Sequence, residues 1–215
     1  AGIYVSTYWG EGTTVTLNGN TLSNNENSVS IGYAGDDDTS TVDFGAGNSY
    51  GGNDIKIIGN TFETTDEFNL DFDGLLLRDN GHNNVIIRGN LIKGAGKIRD
   101  DGSRPSWGYA ICTEPTRKGT IIENNTLHTG YENVFKTTKN TTDTVFRNNV
   151  IDLTVANGVQ RYYDEFYRTV NLYDGARNQV KGNRIIVPAK LPISPEIIYS
   201  AEPTSSVLGN KIVRK

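Results

Sequence analysis

The residues best suited to chemistry are carboxylates, cations and aromatic rings that gather in a few polar stretches of the chain. Two carboxylates flanking a glycosidic bond hydrolyse it when they lie about 5 Å apart for retention of configuration, or about 6.5–9.5 Å apart for inversion. Neighbouring stretches offer Asp73, Asp101 and Glu132, with Glu114 at a strand end as a fallback. These four residues are the candidate catalytic groups of a hydrolase.

A second possible chemistry is proton abstraction next to a carboxylate of the substrate. It needs a base and a cation that neutralises that carboxylate. Arg78, Arg104 and Lys136 could supply the cation, the last of them near Tyr131. Aromatic rings stack on the apolar faces of sugars and charged groups bond their hydroxyls. Further candidates for such substrate-binding contacts are Trp107, Arg161, Tyr162 and Tyr163.

The same residues also have structural interpretations. The aromatic residues of segment 162–167 can pack a long loop against the body of the protein, and the Arg and Asp pairs can be surface ion pairs worth under about 1 kcal/mol each. His128, next to a strand end, is more often a structural hydrogen-bonding residue than a catalyst. His82 lies in a tight corner, away from the other candidates.

These polar stretches lie between seven copies of one pattern, which organises the whole chain. In Val85–Lys93 the pattern reads VIIRGNLIK and centres on an asparagine. The residue before the asparagine is always Gly or Asn, and apolar residues stand three positions before it and two positions after it. The asparagines are Asn20, Asn60, Asn90, Asn125, Asn149, Asn183 and Asn210; the apolar residues are Leu17, Ile57, Ile87, Ile122, Phe146, Val180 and Val207 before them, and Leu22, Phe62, Ile92, Leu127, Ile151, Ile185 and Ile212 after them.

A period of two around a Gly or Asn predicts two short strands joined at a bend, because these residues adopt positive φ at little cost. The interval between copies varies from 24 residues (Asn125 to Asn149) to 40 residues (Asn20 to Asn60), which suits a coil of strands with variable loops. The asparagines should then stack inward, each amide bonding the amides above and below it, since a buried unbonded amide is costly. The pattern predicts an all-β, right-handed, single-stranded parallel β-helix of about seven turns, with long loops on one side, as one domain over residues 1–215.

Each turn should also contain a strand that precedes the asparagine segment. We expect these first strands at Gly2–Thr7, Val29–Gly32, Leu75–Asp79, Tyr109–Glu114, Val134–Lys139, Val170–Asp174 and Ile197–Ala201. The corners before the asparagine segments are short and polar, except in the second turn, where the corner is the long stretch Tyr33–Asp54. The corners after the asparagine segments are open loops at Glu63–Asp73, Lys93–Gly108, His128–Asn133, Asp152–Thr169 and Val187–Glu196. Because turns stack in register, the open loops should wall a groove that holds the candidate residues.

The repeated G-N-x-[ILV] strand resembles the pectin-lyase-like family of parallel β-helices, which includes pectate and alginate lyases, polygalacturonases, alginate epimerases and phage tailspikes. The resemblance covers nearly the whole chain and implies the fold and an action on polysaccharides. The polygalacturonase series N-T-D, D-D, G-H-G and R-I-K is present only as the fragments Asp100-Asp101 and Gly81-His82-Asn83, and the epimerase element Y-x-x-x-D-P-H is absent. The resemblance is therefore more specific for fold than for activity.

Composition limits the partners. The net charge of −4 disfavours a nucleic-acid partner. The sequence also contains no run of about 18 apolar residues, the length needed to span a membrane as a helix. Cys112, in the apolar strand YAICT, is expected to be a small buried hydrophobe rather than a reactive thiol. Asp36, Asp37 and Asp38 could hold Ca²⁺, but their spacing lacks the alternation of a calcium loop, so we prefer a solvated loop and expect no cofactor.

Three functions remain open at this point. The first is a polysaccharide-degrading or modifying β-helix (glycoside hydrolase or lyase), most plausibly a segment of a phage tailspike. The second is a non-catalytic carbohydrate-binding or receptor-binding segment of a virion or surface adhesin. The third is a structural β-helix stalk. Long loops rich in aromatic residues argue against the stalk. We expect the chain to be a segment whose two ends are covered by further turns or by the neighbours in a homotrimer, outside the cell or on a virion.

Overall fold

The structure is a computed structural model that describes residues 3–6, 14–32, 54–72, 82–94, 109–113, 116–129, 133–137, 141–154, 168–172, 175–189 and 195–215. Over these ranges all the regular elements are β-strands, so no helix of the described part could span a membrane. In chain order the strands are β1 (Ile3–Ser6), β2 (Val15–Asn18), β3 (Thr21–Gly32), β4 (Ile55–Ile58), β5 (Thr61–Phe72), β6 (His82–Asn83), β7 (Ile86–Arg88), β8 (Leu91–Gly94), β9 (Tyr109–Thr113), β10 (Thr116–Lys118), β11 (Ile121–Glu123), β12 (Thr126–Thr129), β13 (Asn133–Thr137), β14 (Val145–Arg147), β15 (Val150–Asp152), β16 (Val170–Leu172), β17 (Gln179–Lys181), β18 (Arg184–Val187), β19 (Ile198–Ser200), β20 (Ser206–Leu208) and β21 (Lys211–Arg214).

All of these strands except β6 and β10, which pair with each other, form three parallel faces that we name sheets A, B and C. Sheet A contains the strand before each asparagine, in the order β2-β4-β7-β11-β14-β17-β20. Sheet B contains the strand after each asparagine: the first parts of β3 and β5, then β8, β12, β15, β18 and β21. Sheet C contains β1, the last parts of β3 and β5, then β9, β13, β16 and β19. Each sheet follows the chain order, so the protein is an all-β parallel β-helix.

The register of the sheets brings the phased apolar residues into columns. On sheet A, Ile87 pairs with Ile57 on one side and Ile122 on the other, and all three are fully buried. On sheet B, Ile92 occupies the same kind of position between Phe62 and Leu127. At the last strands the columns become exposed, since Val207 is 41% and Ile212 is 45% accessible to solvent. The apolar residues on both sides of each asparagine thus form inward columns that are buried in the middle turns.

The bend that joins sheets A and B has the backbone conformation that the pattern predicts. The residue before each asparagine has positive φ in all seven copies, which explains the restriction to Gly and Asn. These residues are Gly19, Gly59, Gly89, Asn124, Asn148, Gly182 and Gly209. A second set of residues with positive φ lies at the corner between sheets C and A, just before the sheet A strands. The sequence pattern did not predict this second set. Those residues are Asp54, Asn84, Gly119, Asp143 and Arg177.

The asparagines form a continuous ladder through the core. Asn90 Nδ2 donates to Asn125 Oδ1 at 3.0 Å and to the Ile57 carbonyl at 2.9 Å, while its own Oδ1 accepts from Asn60 Nδ2 and from the Asn60 backbone N–H. The same side-chain bond links every consecutive pair from Asn20 to Asn210, at 2.8–3.1 Å. Each internal rung therefore satisfies the hydrogen-bonding capacity of a buried amide, as the sequence predicted.

Two predictions about the third turn are wrong. The structure fills the sheet C position of that turn with the end of β5, where Leu70 pairs with Ile111, and not with Leu75–Asp79. Segment Glu63–Asp73 was predicted to be an open loop, yet β5 runs without interruption from Thr61 to Phe72. The alternation of Phe68, Leu70 and Phe72 with polar residues is a strand signal, and it outweighs the unpatterned leucines at 75–77.

Candidate functional site

Most of the predicted site residues lie outside the described residues. The one exception is Lys136, on β13, whose backbone pairs with Cys112 of β9 and Asn171 of β16 on sheet C. The candidates outside the described ranges are Asp73, Asp101, Glu114, Glu132, Arg78, Arg104, Trp107, Tyr131, Arg161, Tyr162 and Tyr163, and the possible calcium ligands Asp36, Asp37 and Asp38 also lie there. Across the part that the structure does describe, no group of three or more His, Cys, Asp or Glu side chains is arranged to hold a metal ion.

Lys136 belongs to a column of chemically diverse residues on sheet C. The core positions of this sheet are held by Ile111, Phe135 and Val170, which are fully buried and in register. The residues that directly follow these core positions form the next column of backbone pairs along sheet C. In register, that column consists of Tyr4, Ser30, Asp71, Cys112, Lys136, Asn171 and Tyr199.

The end of this column contains a stacked and ion-paired cluster. The guanidinium carbon of Arg168 lies 3.4 Å from the centroid of the Tyr199 ring. Arg168 Nε and Nη2 both donate to Glu196 Oε2, at 2.8 and 2.7 Å. The stacking and the ion pair hold the guanidinium in one plane, because an arginine that meets both an aromatic face and a carboxylate has little rotational freedom.

Asn171 lies next to Tyr199 in the register and carries an unmet hydrogen-bonding group. It is 8% exposed, and within the described part of the chain no group donates a hydrogen bond to its Oδ1. A buried carbonyl oxygen without a donor is unusual in a folded protein and costs free energy. Asn171 therefore places a buried acceptor oxygen next to Tyr199 in the register of sheet C.

A second column of ionisable residues lies on sheet B, three positions after the asparagines. Glu63, Lys93, His128 and Asp152 are neighbours in register on consecutive strands, and Lys93 Nζ lies 3.9 Å from Glu63 Oε2. His128 is thus on a strand rather than in the predicted loop. With strands about 4.7–4.9 Å apart, the two carboxylates are separated by roughly 14 Å, which is too far for a glycosidase pair.

Asp152 ends this column in its ionised form. Burial by itself would raise the pKa of this carboxyl, but hydrogen bonds from the hydroxyl and backbone N–H of Thr154, at 2.6 and 3.0 Å, lower it, and the charges of His128 and Lys215 act in the same direction. The net pKa lies below the usual value for aspartate. Asp152 is consequently an acceptor near neutral pH and not a proton donor.

On sheet A an ion triad crosses three strands. Glu123 Oε1 accepts from Arg88 Nε at 2.6 Å, and Glu123 Oε2 accepts from Arg147 Nε at 2.6 Å. Burial would raise the pKa of Glu123, but the hydrogen bonds and charges of Arg147 and Arg88 more than offset it and hold the pKa below the usual value. The side chain of Glu123 is only 7% exposed between the two arginines. This triad is suited to stability rather than catalysis.

The sequence interpretation missed these groups because it looked for function in the loops. Asn171 lies between the buried residues Val170 and Leu172, and Tyr199 lies between Ile198 and Ser200. Comparing equivalent positions in all copies of the pattern would have found two of these groups. The sheet B column stands three residues after the asparagines, and the ion triad stands two residues before them. Arg168 and Glu196 each precede a sheet C strand closely, but no sequence signal pairs them.

Fold and surface chemistry together define a parallel β-helix with ionisable groups aligned on its outer faces. Searches against protein-family models, curated proteins and solved structures found no match to this chain.

Proposed function

We propose that this protein binds a polysaccharide across the outer face of sheet C and degrades or modifies it. The observation that carries the proposal is the cluster formed by Arg168, Tyr199, Glu196 and the buried, unsatisfied Asn171 Oδ1. The resemblance of the asparagine repeat to pectin-lyase-like β-helices supports the same assignment, since members of that family act on polysaccharides.

Each group of the cluster has a role that suits a sugar. The Tyr199 ring, partly exposed, offers apolar surface and a hydroxyl to a pyranose. Asn171 Oδ1 accepts a hydrogen bond from a sugar hydroxyl and so removes an unsatisfied buried group. Arg168, held in position by Glu196 and Tyr199, places a fixed positive charge next to the sugar, which favours a uronate.

The reaction requires groups close to this face. The carboxylates of the sheet B column are too widely separated to form a hydrolytic pair, as derived above. We therefore propose Asp73 as one catalytic carboxylate and, in preference to Asp101, the fallback Glu114 as the other, because they directly follow β5 and β9 of sheet C in the sequence. Glu132 directly precedes β13 and is the third candidate, and Lys136 of the same strand is the proposed cation for a uronate.

The test is incubation with capsular, lipopolysaccharide and uronate polymers, followed by assays for new reducing ends and for the absorbance of unsaturated sugars. Reducing ends without that absorbance identify a hydrolase, whereas the absorbance identifies a lyase. The double variant Asp73→Asn, Glu114→Gln should abolish either product while leaving polymer binding intact.

Binding is tested separately from turnover. Tyr199→Ala should weaken oligosaccharide affinity by about 1 kcal/mol or more, which corresponds to roughly fivefold. The control is Thr16→Ala, an exposed position on sheet A, which should not change affinity. Equal effects of the two substitutions would contradict a site on sheet C. Binding with no product from any polymer would instead indicate a non-catalytic receptor-binding protein.

The resemblance to phage tailspikes extends the proposal to assembly and location. A homotrimer on a virion or outside the cell would follow from it, and analytical ultracentrifugation measures the assembly state directly. A monomer at micromolar concentration would contradict the trimer.

A further inference from the structure

The corner between sheets A and B carries a row of cations that the proposed sugar site does not use. Two outward columns flank this corner: the residues two positions before each asparagine, on sheet A, and those one position after it, on sheet B. The first column contains Arg88, Arg147 and Lys181, and the second contains Arg184 and Lys211. We call these five residues the basic ridge.

The ridge has a net positive charge although the whole chain has a net charge of −4. Its two columns comprise Asn18, Ile58, Arg88, Glu123, Arg147, Lys181 and Leu208, and Thr21, Thr61, Leu91, Thr126, Val150, Arg184 and Lys211. Glu123 is the one carboxylate among these positions, and it is already bonded to Arg88 and Arg147. Five cations against one carboxylate leave an excess of four positive charges.

The cations are open to solvent. The side chains of Arg88 and Arg147 remain 46% and 36% exposed despite their bonds to Glu123. Arg184 and Lys211 are exposed, and the Lys181 ammonium contacts the neutral Gln179 oxygen at 3.2 Å. The crest between the two columns consists of exposed Gly and Asn residues, so nothing bulky stands between a ligand and the charges.

The shape of the ridge selects the kind of partner. The cations follow one straight corner with one strand spacing, about 4.7–4.9 Å, from each strand to the next. A linear chain can lie along this corner, whereas a membrane or a nucleic-acid duplex would bring much more of the acidic protein near its own negative charges. No position of the two columns is aromatic, so the stacking that holds single-stranded nucleic acid is missing there.

We propose that the basic ridge is a second binding surface, for a linear acidic polysaccharide bearing carboxylates or sulfates. It holds the polymer by charge along the asparagine corner, away from the sugar-binding cluster of sheet C. Arginines supply three of its five cations, and their planar guanidinium groups match carboxylate and sulfate oxygens. Because the basic ridge lies on sheets A and B, the proposal that it binds polymer does not depend on whether sheet C is catalytic.

The experiment measures binding to dextran sulfate and to polygalacturonate in a Tyr199→Ala background, which weakens the sheet C site, with neutral dextran as the uncharged control. The ridge variant combines Lys181→Gln, Arg184→Gln and Lys211→Gln, none of which breaks a bond to the core. The matched variant removes the same total charge elsewhere, with Lys56→Gln, Lys93→Gln and Lys215→Gln. Circular dichroism melting confirms that both variants fold.

The ridge variant should bind the two acidic polymers roughly tenfold more weakly and elute from immobilised dextran sulfate at lower salt, while the matched variant keeps nearly the original affinity. Equal losses in the two variants would overturn the proposal, because bulk charge would then explain the attraction. Tighter binding of single-stranded DNA or of anionic phosphatidylserine vesicles than of both polymers would also overturn it.

Discussion

Asn90 occupies an internal rung of the ladder, and its replacement tests what a rung contributes. Asn90→Ala leaves the Asn60 backbone N–H and the Ile57 carbonyl without their partners in a buried site. We expect a loss of about 2–4 kcal/mol in the free energy of unfolding, measured by urea denaturation. The control Asn20→Ala, at an exposed rung that bonds one neighbouring amide, should lose far less. Equal losses would show that the ladder does not stabilise the coil.

Glu123 provides a second prediction for a single residue, in this case for its pH dependence. Its pKa is lowered in the folded state, so it contributes stability above its unfolded pKa of about 4.5, and this contribution disappears as the pH falls through the folded pKa. At pH 7, Glu123→Gln should unfold about 1–2 kcal/mol more easily than the unmodified chain, since the partly exposed arginines screen the pair.

Thermal melting at several pH values checks this expectation. The difference in melting temperature between the chain and Glu123→Gln should be largest near neutral pH and should shrink below pH 4.5. A constant difference down to pH 2.5 would mean that the ion triad does not account for the effect of the substitution.

At the level of elements, the corners differ in how closely the backbone approaches a neighbouring turn. Gly175 has φ of +97°, and a Cβ placed there would overlap the Thr141 carbonyl oxygen. Gly209 has φ of +64°, and a Cβ there would meet no atom within 4 Å. The corner at Gly175 thus requires glycine both because there is no room for a side chain and because φ is positive. The corner at Gly209 requires it only because φ is positive.

Alanine at the two glycines should separate these requirements. Gly209→Ala should cost about 1–2 kcal/mol, the usual strain of an L-residue at positive φ. Gly175→Ala should cost more than about 3 kcal/mol, because the backbone of residue 141 must also move. Both values come from chemical denaturation. Similar costs at the two positions would contradict the close approach of turns at Gly175.

At the level of the whole molecule, a stack of turns should behave as a one-dimensional array. Each rung bonds only the rungs directly above and below it, so energetic coupling should be confined to neighbouring turns. Asn60→Ala and Asn90→Ala, which share a hydrogen bond, should therefore be non-additive by about 0.5 kcal/mol or more. Asn60→Ala and Asn183→Ala, which are separated by three rungs, should add within experimental error.

Double-mutant cycles in urea measure both couplings. Coupling of similar size for the adjacent and the distant pair would mean that the coil unfolds through long-range rearrangement and not as a stack of nearest-neighbour turns.

The sequence alone determined the core of this protein. Seven asparagines in one phase, each after Gly or Asn and flanked by apolar residues, are sufficient to predict the ladder, the bend between sheets A and B and both inward columns. A buried amide and a positive φ each restrict the residue types so strongly that they leave a visible pattern.

The tertiary structure decided the rest, because outward positions and corners accept many residue types. The third strand of sheet C illustrates this: both Phe68–Phe72 and Leu75–Asp79 were available, and only the pairing with β9 selected the first. The contact between Arg168, Tyr199 and Glu196 joins residues up to 31 positions apart (199 − 168) through stacking of adjacent turns. Because the loops between turns differ in length, no constant sequence spacing predicts which residues meet. Such contacts are identified only from the stacking of the turns in the structure.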